Sequence, residues 1–370
     1  MWLRMRNTLG PLLLMLLCPP FVMLMWYTNT ALEGSLYELL NLITQQGLFQ
    51  TIYKVWAPYF FGSAIAWQSI ACFIVIELLL MRLLPGKVWH GPITPKGNVP
   101  VYKANGLLAF FTSMVLFSTA SFGLNLFPAS ILYDNLGPIL GALNLFSLLF
   151  CGLLYVKGRF YPSSTDAGTT NNILFDYYWG TELYPRIFGL HIKKFITCRF
   201  GMMSWGLFLI SYCAKQAELG GLANSMLISV ILQMLYIAKF YVWENGYLRS
   251  LDIMHDRAGF YICWGCMVWV PCIYTSPSMY LVLHPIHLSF GVATFLLCLG
   301  AFCITINYLA DKQRLITRST EGNCKVWGKQ PVTLLARYKT EEGHSKHTLL
   351  LASGWWGIAR HFHYVQIGRA

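Results

Sequence analysis

Residues 139–156 have the sequence ILGALNLFSLLFCGLLYV, which contains no charged side chain. The length of this apolar run is close to the ~20 residues that a helix needs to cross the hydrocarbon core of a bilayer. Comparable runs recur along the chain from Leu9 to Tyr308. The sequence therefore predicts a protein that crosses the membrane several times.

Eight such runs define the predicted fold class, which is all-α: a polytopic integral membrane bundle of about eight transmembrane helices. Composition agrees, because 56% of the 370 residues are hydrophobic and only 11% are charged, against about 25% charged in soluble domains. The predicted spans are Leu9–Tyr27, Pro58–Met81, Gly106–Phe127, Ile139–Val156, Gly201–Ala214, Ala223–Tyr241, Gly259–Tyr274 and Leu288–Tyr308.

The basic residues are distributed very unevenly between the two sides of this layout. Fifteen lie at the N-terminus and in alternate loops, ten follow Tyr308, and only Lys54 and Lys215 lie in the intervening loops. The positive-inside rule then predicts that both termini are cytoplasmic. The net charge of +12 is explained by membrane topology, so we do not expect a nucleic-acid partner.

Two polar stretches lie beside the predicted spans. Phe175–Arg186 (FDYYWGTELYPR) interleaves aromatic and charged residues; taken alone, it is typical of an aromatic belt at the membrane interface, with its charges facing water.

The second stretch, Trp243–Arg257, brings acids, a tyrosine and a histidine next to two spans. Helical spacing would place Asp252, His255 and Asp256 on one face, and Glu244 with Tyr247 on another. Buried acids beside a membrane are costly unless they are paired or functional, so one interpretation is a site of proton transfer. The alternative, equally supported, is a solvated loop.

The end of the chain combines cations with aromatic rings. Arg314 and Arg318 share a helical face after the last span and suit either a phosphate ligand or anionic lipid headgroups. Further on, Leu349–Val365 (LLLASGWWGIARHFHYV) joins paired tryptophans to an arginine and two histidines. This mixture favours a pocket for a large ligand that is partly charged and partly aromatic.

Familiar metal and nucleotide motifs give no alternative. Cys263 and Cys266 form a single C-x-x-C pair, three short histidine pairs are separated along the chain, and no G-x-G-x-x-G or Walker motif occurs. We therefore expect no metal site and no Rossmann fold.

Taken together, these stretches are highly specific. The chain resembles the membrane sterol reductases, which include the C14, C24(28) and Δ7-sterol reductases. The resemblance covers nearly the whole chain up to Val365, and residues 263–271 (CWGCMVWVP) and 361–364 (HFHY) look most like the plant form of the Δ7 branch. The motifs that carry it are residues 91–106 (GPITPKGNVPVYKANG), 175–186, 252–260 (DIMHDRAGF) and 350–364.

The resemblance implies a multi-pass enzyme of the endoplasmic reticulum membrane that uses NADPH to reduce the C7–C8 double bond of 5,7-diene sterols. The alternatives are a sterol C14 reductase and a non-catalytic sterol-binding isoform. The implied partners are a sterol that enters from the bilayer, membrane lipids and other enzymes of sterol synthesis.

The resemblance also implies roles for individual residues. Tyr247, with Glu244 and Asp252 nearby, is our hypothesis for the cluster that supplies a proton to the sterol. The residues that match the family's NADPH contacts are Arg314, Arg318, Leu351, Trp356, His363 and Tyr364.

Two domains are expected: residues 1–308 as the transmembrane reductase domain, and residues 309–370 as a cytoplasmic-side segment that forms part of the NADPH site. Members of the family continue for further helices beyond the segment that matches Val365. The resemblance therefore predicts a C-terminally truncated chain whose nucleotide pocket is incomplete.

Overall fold

The computed structural model describes residues 5–94, 96–339 and 345–359. The protein is predominantly helical and divides into two compact units, residues 1–288 and residues 289–370. In the first unit the elements are a π-turn (Met5–Leu9), α1 (Gly10–Ala31), α2 (Leu36–Gln46), α3 (Leu48–Trp56), a 3₁₀ turn (Ala57–Tyr59), α4 (Ala64–Leu83), β1 (Lys87–His90), β2 (Val101–Ala104), α5 (Gly106–Ser118), a π-turn (Thr119–Gly123), α6 (Ile131–Asp134), α7 (Leu136–Phe160), α8 (Ile173–Trp179), β3 (Arg186–Ile187), β4 (Leu190–His191), α9 (Ile192–Lys194), a π-helical segment (Phe195–Gly201), α10 (Met202–Gly220), α11 (Asn224–Val242), α12 (Glu244–Tyr247), α13 (Leu251–Met254), α14 (Phe260–Trp264), a π-helical segment (Gly265–Tyr274) and α15 (Ser276–Leu283). The second unit contains α16 (Phe290–Ser319), β5 (Thr333–Lys339), β6 (Ser345–Leu351) and α17 (Trp355–Ile358).

Seven helical segments of the described chain are long and apolar enough to cross a membrane, which agrees with a multi-pass membrane protein. The fifth predicted span, Gly201–Ala214, falls on α10, which has 19 residues and is not one of the seven. Its last turns carry Lys215 and Glu218, which lower its hydropathy. The count of eight spans and the cytoplasmic termini stay predictions. The seven segments are Asn7–Ala31, Ala64–Leu83, Gly106–Gly123, Leu136–Phe160, Asn224–Val242, Phe260–Leu283 and Phe290–Ser319.

The all-α prediction was wrong in one respect, because the described residues also form three two-stranded antiparallel hairpins. In the first, β1 pairs with β2 so that Trp89 lies opposite Tyr102, and their rings stack with centroids 5.8 Å apart. Cross-strand aromatic pairs of this kind stabilise a hairpin. Each of these two strands has only four residues, which is too short an alternation to detect in the sequence.

Helix α7 forms the centre of the first unit's core. Leu136, Leu140 and Leu143 are buried among residues of α1, α4 and α14. Glycines allow this close packing: a Cβ atom at Gly141 would lie only 1.7 Å from the backbone oxygen of Tyr59. The start of α7 therefore packs directly on the 3₁₀ turn that follows α3.

Gly141→Ala is expected to lower stability, because the added methyl group meets backbone that cannot rotate away. Overpacking of this kind typically costs about 1–3 kcal/mol. Gly152→Ala is the matched control on the same helix, since its nearest neighbour is a Tyr177 ring carbon at 4.0 Å. Thermal unfolding in detergent micelles should separate the two variants, and equal midpoints would contradict the packing described.

Candidate active site

A buried carboxylate, that of Glu244, lies at the start of α12, and only 3% of this residue is exposed. Its Oε1 atom lies 3.0 Å from Lys194 Nζ and 3.5 Å from Arg199 Nη2. Its Oε2 atom accepts a hydrogen bond of 2.8 Å from the backbone N–H of Gly106, the first residue of α5. A carboxylate at this place satisfies an N–H that has no partner within the helix.

Asn105, next to Gly106, extends this cluster to α4. Its amide nitrogen donates to the carbonyl oxygens of Met81 and Leu84, at 3.2 and 3.0 Å, while its Oδ1 atom accepts from Arg199 Nη2 at 2.6 Å. Because the last carbonyls of a helix lack partners within it, one side chain joins the end of α4 to the cluster. We call Asn105, Lys194, Arg199 and Glu244 the charge cluster.

Arg199 is fully buried, with no exposed surface. Its guanidinium lies 5.8 Å from the centre of the Tyr241 ring, and the Tyr241 hydroxyl donates to the carbonyl oxygen of Cys198. A buried cation is costly unless it is paired; Glu244 forms an ion pair with Arg199, and Glu77 also interacts with it electrostatically.

Tyr247 lies one helical turn after Glu244 and faces a different set of groups. Burial raises the pKa of its hydroxyl well above the usual value, Asp252 adds to the rise to a lesser extent, and the Thr197 hydroxyl opposes it. Burial and then the neighbouring Asp256 also raise the pKa of Asp252, while Lys193 opposes the rise. At neutral pH Tyr247 therefore keeps its proton beside an acid of raised pKa.

Lys193, which the sequence analysis did not select, completes this second set. It is 1% exposed, and its ammonium donates to the carbonyl oxygens of Ile253 and Asp256 at 2.6 and 2.7 Å. Burial lowers its pKa to about 7, against the attraction of Asp256, Cys263 and Asp252. We call Lys193, Thr197, Tyr247 and Asp252 the tyrosine cluster.

The helical face expected for Asp252, His255 and Asp256 does not form, because α13 ends at Met254. The His255 side chain is 60% exposed and contacts Asp256 at 3.0 Å. The alternative of a solvated loop holds only in part, because Glu244, Ile253 and Asp256 are buried whereas Arg249 and His255 are exposed.

The aromatic stretch 175–186 does not turn its carboxylates to water. Asp176 accepts from the backbone N–H and hydroxyl of Thr170 at 2.9 and 2.7 Å, and Glu182 lies 2.7 Å from Lys157 Nζ. Both acids are buried. The interface-belt interpretation is thus wrong for these two charges, which fasten the loop before α8 and the end of α7.

In the second unit, two of the predicted cofactor residues are in contact. The Arg314 guanidinium lies 4.7 Å from the centre of the Trp356 ring, and Trp356 Nε1 donates to the carbonyl oxygen of Ala310 at 2.7 Å. Arg314 Nη2 also contacts Asp311 Oδ1 at 3.1 Å. α17 is thereby held against α16 with the arginine between them.

Arg318 and Leu351 lie nearby in the same unit. Arg318 is one turn beyond Arg314 on α16, and its Nε atom donates to the carbonyl oxygen of Leu349 on β6 at 3.2 Å. Leu351, at the end of β6, is buried. His363 and Tyr364 lie outside the described residues.

The residues missed by sequence reasoning are the basic ones just before α10. Lys193, Lys194 and Arg199 were counted only as charges that set the topology. A signal was present: three cations occur in seven residues (KKFITCR) directly before an apolar helix, where unpaired charges are expensive.

Glu244→Gln is expected to destabilise the first unit by about 3 kcal/mol or more, because it removes the carboxylate that pairs with the buried Lys194 and Arg199. Asp134→Asn is the control: Asp134 pairs with Lys215 at 2.7 Å, but both side chains are partly exposed, and such pairs contribute less than about 1 kcal/mol. Thermal unfolding of the two variants provides the comparison. Small and equal losses of stability in the two variants would show that the ion pairs of Glu244 are not needed for the stability of the first unit.

Comparison with known proteins finds one matching family model and several similar proteins. The family model described as the ergosterol biosynthesis ERG4/ERG24 family matches residues 8–367. A protein of Arabidopsis thaliana named 7-dehydrocholesterol reductase is 49% identical over 95% of this chain and 81% of its own length. One of Xenopus laevis with the same name is 36% identical over 81% of this chain and 65% of its own length. A Delta(14)-sterol reductase of Methylotuvimicrobium alcaliphilum is 34% identical over 95% of this chain and 78% of its own length.

Proposed function

The chain belongs to the ERG4/ERG24 family of ergosterol biosynthesis, and from that premise we propose that it reduces the C7–C8 double bond of a 5,7-diene sterol with NADPH. The observation that carries the proposal is the 49% identity, over 95% of the chain, to the Arabidopsis protein named 7-dehydrocholesterol reductase. Membership supports a membrane-bound sterol reductase. Which double bond is reduced, and with which cofactor, goes beyond family membership and is proposed.

The proposed reaction requires a proton donor in a site from which water is excluded. An alkene accepts hydride poorly until one of its carbons has been protonated, and the resulting cation survives only where water is excluded. NADPH, when bound, supplies the hydride. The protein must therefore supply a proton donor, hold the sterol against it and keep water away.

Tyr247 fits the role of proton donor. Tyr247 is partly buried, and the raised pKa of its hydroxyl, to which Asp252 contributes, keeps it protonated at neutral pH. The charge cluster fixes Glu244, and with it the four-residue helix α12 that carries Tyr247. In this proposal Tyr247 donates the proton to the sterol, and Asp252 helps to keep the Tyr247 hydroxyl protonated. Glu244 holds the tyrosine in position.

The residues of the second unit fit a phosphate-bearing cofactor. Arg314 and Arg318 are four residues apart on α16, and guanidinium groups bind phosphates through paired, charge-assisted hydrogen bonds. The ring of Trp356 packs against the Arg314 guanidinium. We propose that these residues, with Leu351, His363 and Tyr364, hold NADPH.

The location follows from the substrate. A sterol is dissolved in the bilayer, so the enzyme is proposed to take it from there, in the endoplasmic reticulum membrane beside other enzymes of sterol synthesis. Membrane lipids would cover the apolar outer faces of the spans.

Tyr247→Phe should abolish most product formation, since phenylalanine has the same shape but no proton to give. The assay is conversion of a 5,7-diene sterol by detergent-solubilised protein with NADPH, alongside sterol binding. We expect binding to persist and turnover to fall by about 100-fold or more, the usual contribution of a general acid. Turnover at the normal rate would remove Tyr247 from this role.

Arg314→Met should weaken NADPH binding by about tenfold or more, because a charge-assisted contact contributes roughly 1.5–3 kcal/mol. Arg337→Met is the control, since Arg337 is an exposed residue of β5 in the same unit. Titration calorimetry with NADPH measures both. Equal affinities in the two variants would contradict the proposed cofactor site.

The second candidate is a sterol C14 reductase, which the 34% identity to the Methylotuvimicrobium protein favours. Assaying the same preparation with an 8,14-diene sterol separates the two activities. Retained sterol binding without product from either diene would indicate a non-catalytic sterol-binding protein.

A further inference from the structure

The segment between α1 and α4 contains two short helices with apolar side chains on their outer surface. α2 and α3 have 11 and 9 residues, so they are about 16 and 14 Å long. The hydrocarbon core of a bilayer is about 30 Å thick, and neither helix can cross it. The large apolar side chains exposed on the two helices, which we call the apolar stripe, are Leu36, Tyr37, Leu40, Leu48, Phe49 and Tyr53.

The side chains of α3 fall into three rows, each containing two residues that are four positions apart and therefore on one face. A helix that packs on protein and otherwise faces water has one apolar and one polar face. On α3 a second apolar row is exposed, and its residues Phe49 and Tyr53 are 88% and 68% accessible. The three rows are Thr51 and Val55, which are buried, Phe49 and Tyr53, and the exposed polar pair Gln50 and Lys54.

α2 repeats this arrangement. Tyr37 is 74% exposed, while the Gln45 side chain donates to Asn41 Oδ1 at 3.1 Å on the polar side of the helix. The rows of α2 are Leu39 and Ile43 on the core side, Leu36, Tyr37 and Leu40 in the apolar stripe, and Glu38, Asn41 and Gln45 in the polar row. Both helices therefore have an outer apolar face that the described residues do not cover.

The apolar stripe continues onto a membrane span. Trp56, at the end of α3, contacts Phe60 with ring centroids 5.7 Å apart, and the Phe60 and Phe61 centroids are 5.0 Å apart. Phe61 is exposed, as is Ile65 in the first turn of α4. Since α4 is one of the segments able to cross the membrane, the lipid that covers α4 reaches α3 without a gap.

The composition of the segment indicates which lipid surface fits. Residues 32–63 contain one basic residue, Lys54, and two acidic residues, Glu33 and Glu38. Attraction to anionic headgroups needs clusters of basic residues, so charge contributes little here. Tyrosine and tryptophan are enriched where acyl chains meet headgroups, and the stripe and its continuation contain Tyr37, Tyr53 and Trp56. A neutral phospholipid surface therefore fits the two helices.

We propose that α2 and α3 lie in the surface of the bilayer, with the apolar stripe towards the acyl chains of neutral phospholipids and the polar rows towards water. A helix with separate apolar and polar faces lies in the plane of the interface, its apolar side inserted to the depth of the headgroup boundary. The pair then attaches the protein to one leaflet in addition to the spans, between the end of α1 and the start of α4.

Photo-crosslinking from adjacent positions of α3 tests this orientation. The reactive residue p-benzoylphenylalanine is placed at Phe49 or, as the matched control, at Gln50, in the full chain in phosphatidylcholine nanodiscs. Both positions are exposed, but they belong to different rows. Mass spectrometry should find about tenfold more phospholipid adduct from position 49, because only that row faces acyl chains. Equal adduct at both positions, a crosslink between two copies of the chain, or no adduct at either would overturn the proposal.

A second pair of positions on α2 covers the case in which a substitution on α3 prevents folding. Tyr37 lies in the apolar stripe and Gln45 in the polar row, and both are exposed. We expect phospholipid adduct from position 37 to exceed that from position 45 by a similar factor. Adduct from position 37 that is no greater than from position 45 would show that α2 does not lie in the interface as proposed.

Discussion

The carboxylate of Glu244 is the constraint on which the rest of the first unit depends. A buried carboxylate is stable only when it is paired and hydrogen-bonded; here Lys194 and Arg199 supply positive charge, and the N–H of Gly106 donates a hydrogen bond. These donors come from α9, the π-helical segment after it and the start of α5. One charged group therefore fixes the ends of several elements at the same place.

The adjacent residues Lys193 and Lys194 belong to two different clusters. Lys194 binds Glu244 in the charge cluster, while Lys193 binds carbonyl oxygens in α13 and in the loop after it. Tyr247 follows Glu244 by three residues and faces the second cluster. The charge cluster thus fixes the position of α12. The tyrosine cluster influences the pKa of Tyr247, which lies on that helix.

The sequence was sufficient for the parts of the structure that depend on local composition. Apolar length predicted the seven helices that are long and apolar enough to cross a membrane, and the spacing of Arg314 and Arg318 placed two cations on one helix face. Arg314 indeed packs on Trp356, 42 residues further along the chain, although the sequence alone could show only that both residue types were present.

What the sequence could not show are contacts between distant residues. Glu244 caps α5 across 138 positions, and Lys193 binds the carbonyl oxygen of Ile253 in α13, 60 positions away. No periodicity records such pairs, so the basic residues before α10 were counted as topology signals. The face expected for Asp252, His255 and Asp256 failed for a related reason, because α13 spans only four residues and helical spacing does not extend beyond it.

The central claim is that the tyrosine cluster is where the sterol is protonated. It is tested most directly by cryo-electron microscopy of the wild-type protein with a bound 5,7-diene sterol and no nucleotide, so that the substrate stays unreduced. The account predicts that the Tyr247 hydroxyl lies about 3–3.5 Å from a carbon of the C7–C8 double bond, the separation of reacting atoms in a productive complex. A sterol bound with this double bond far from Tyr247, and next to another acid, would contradict it.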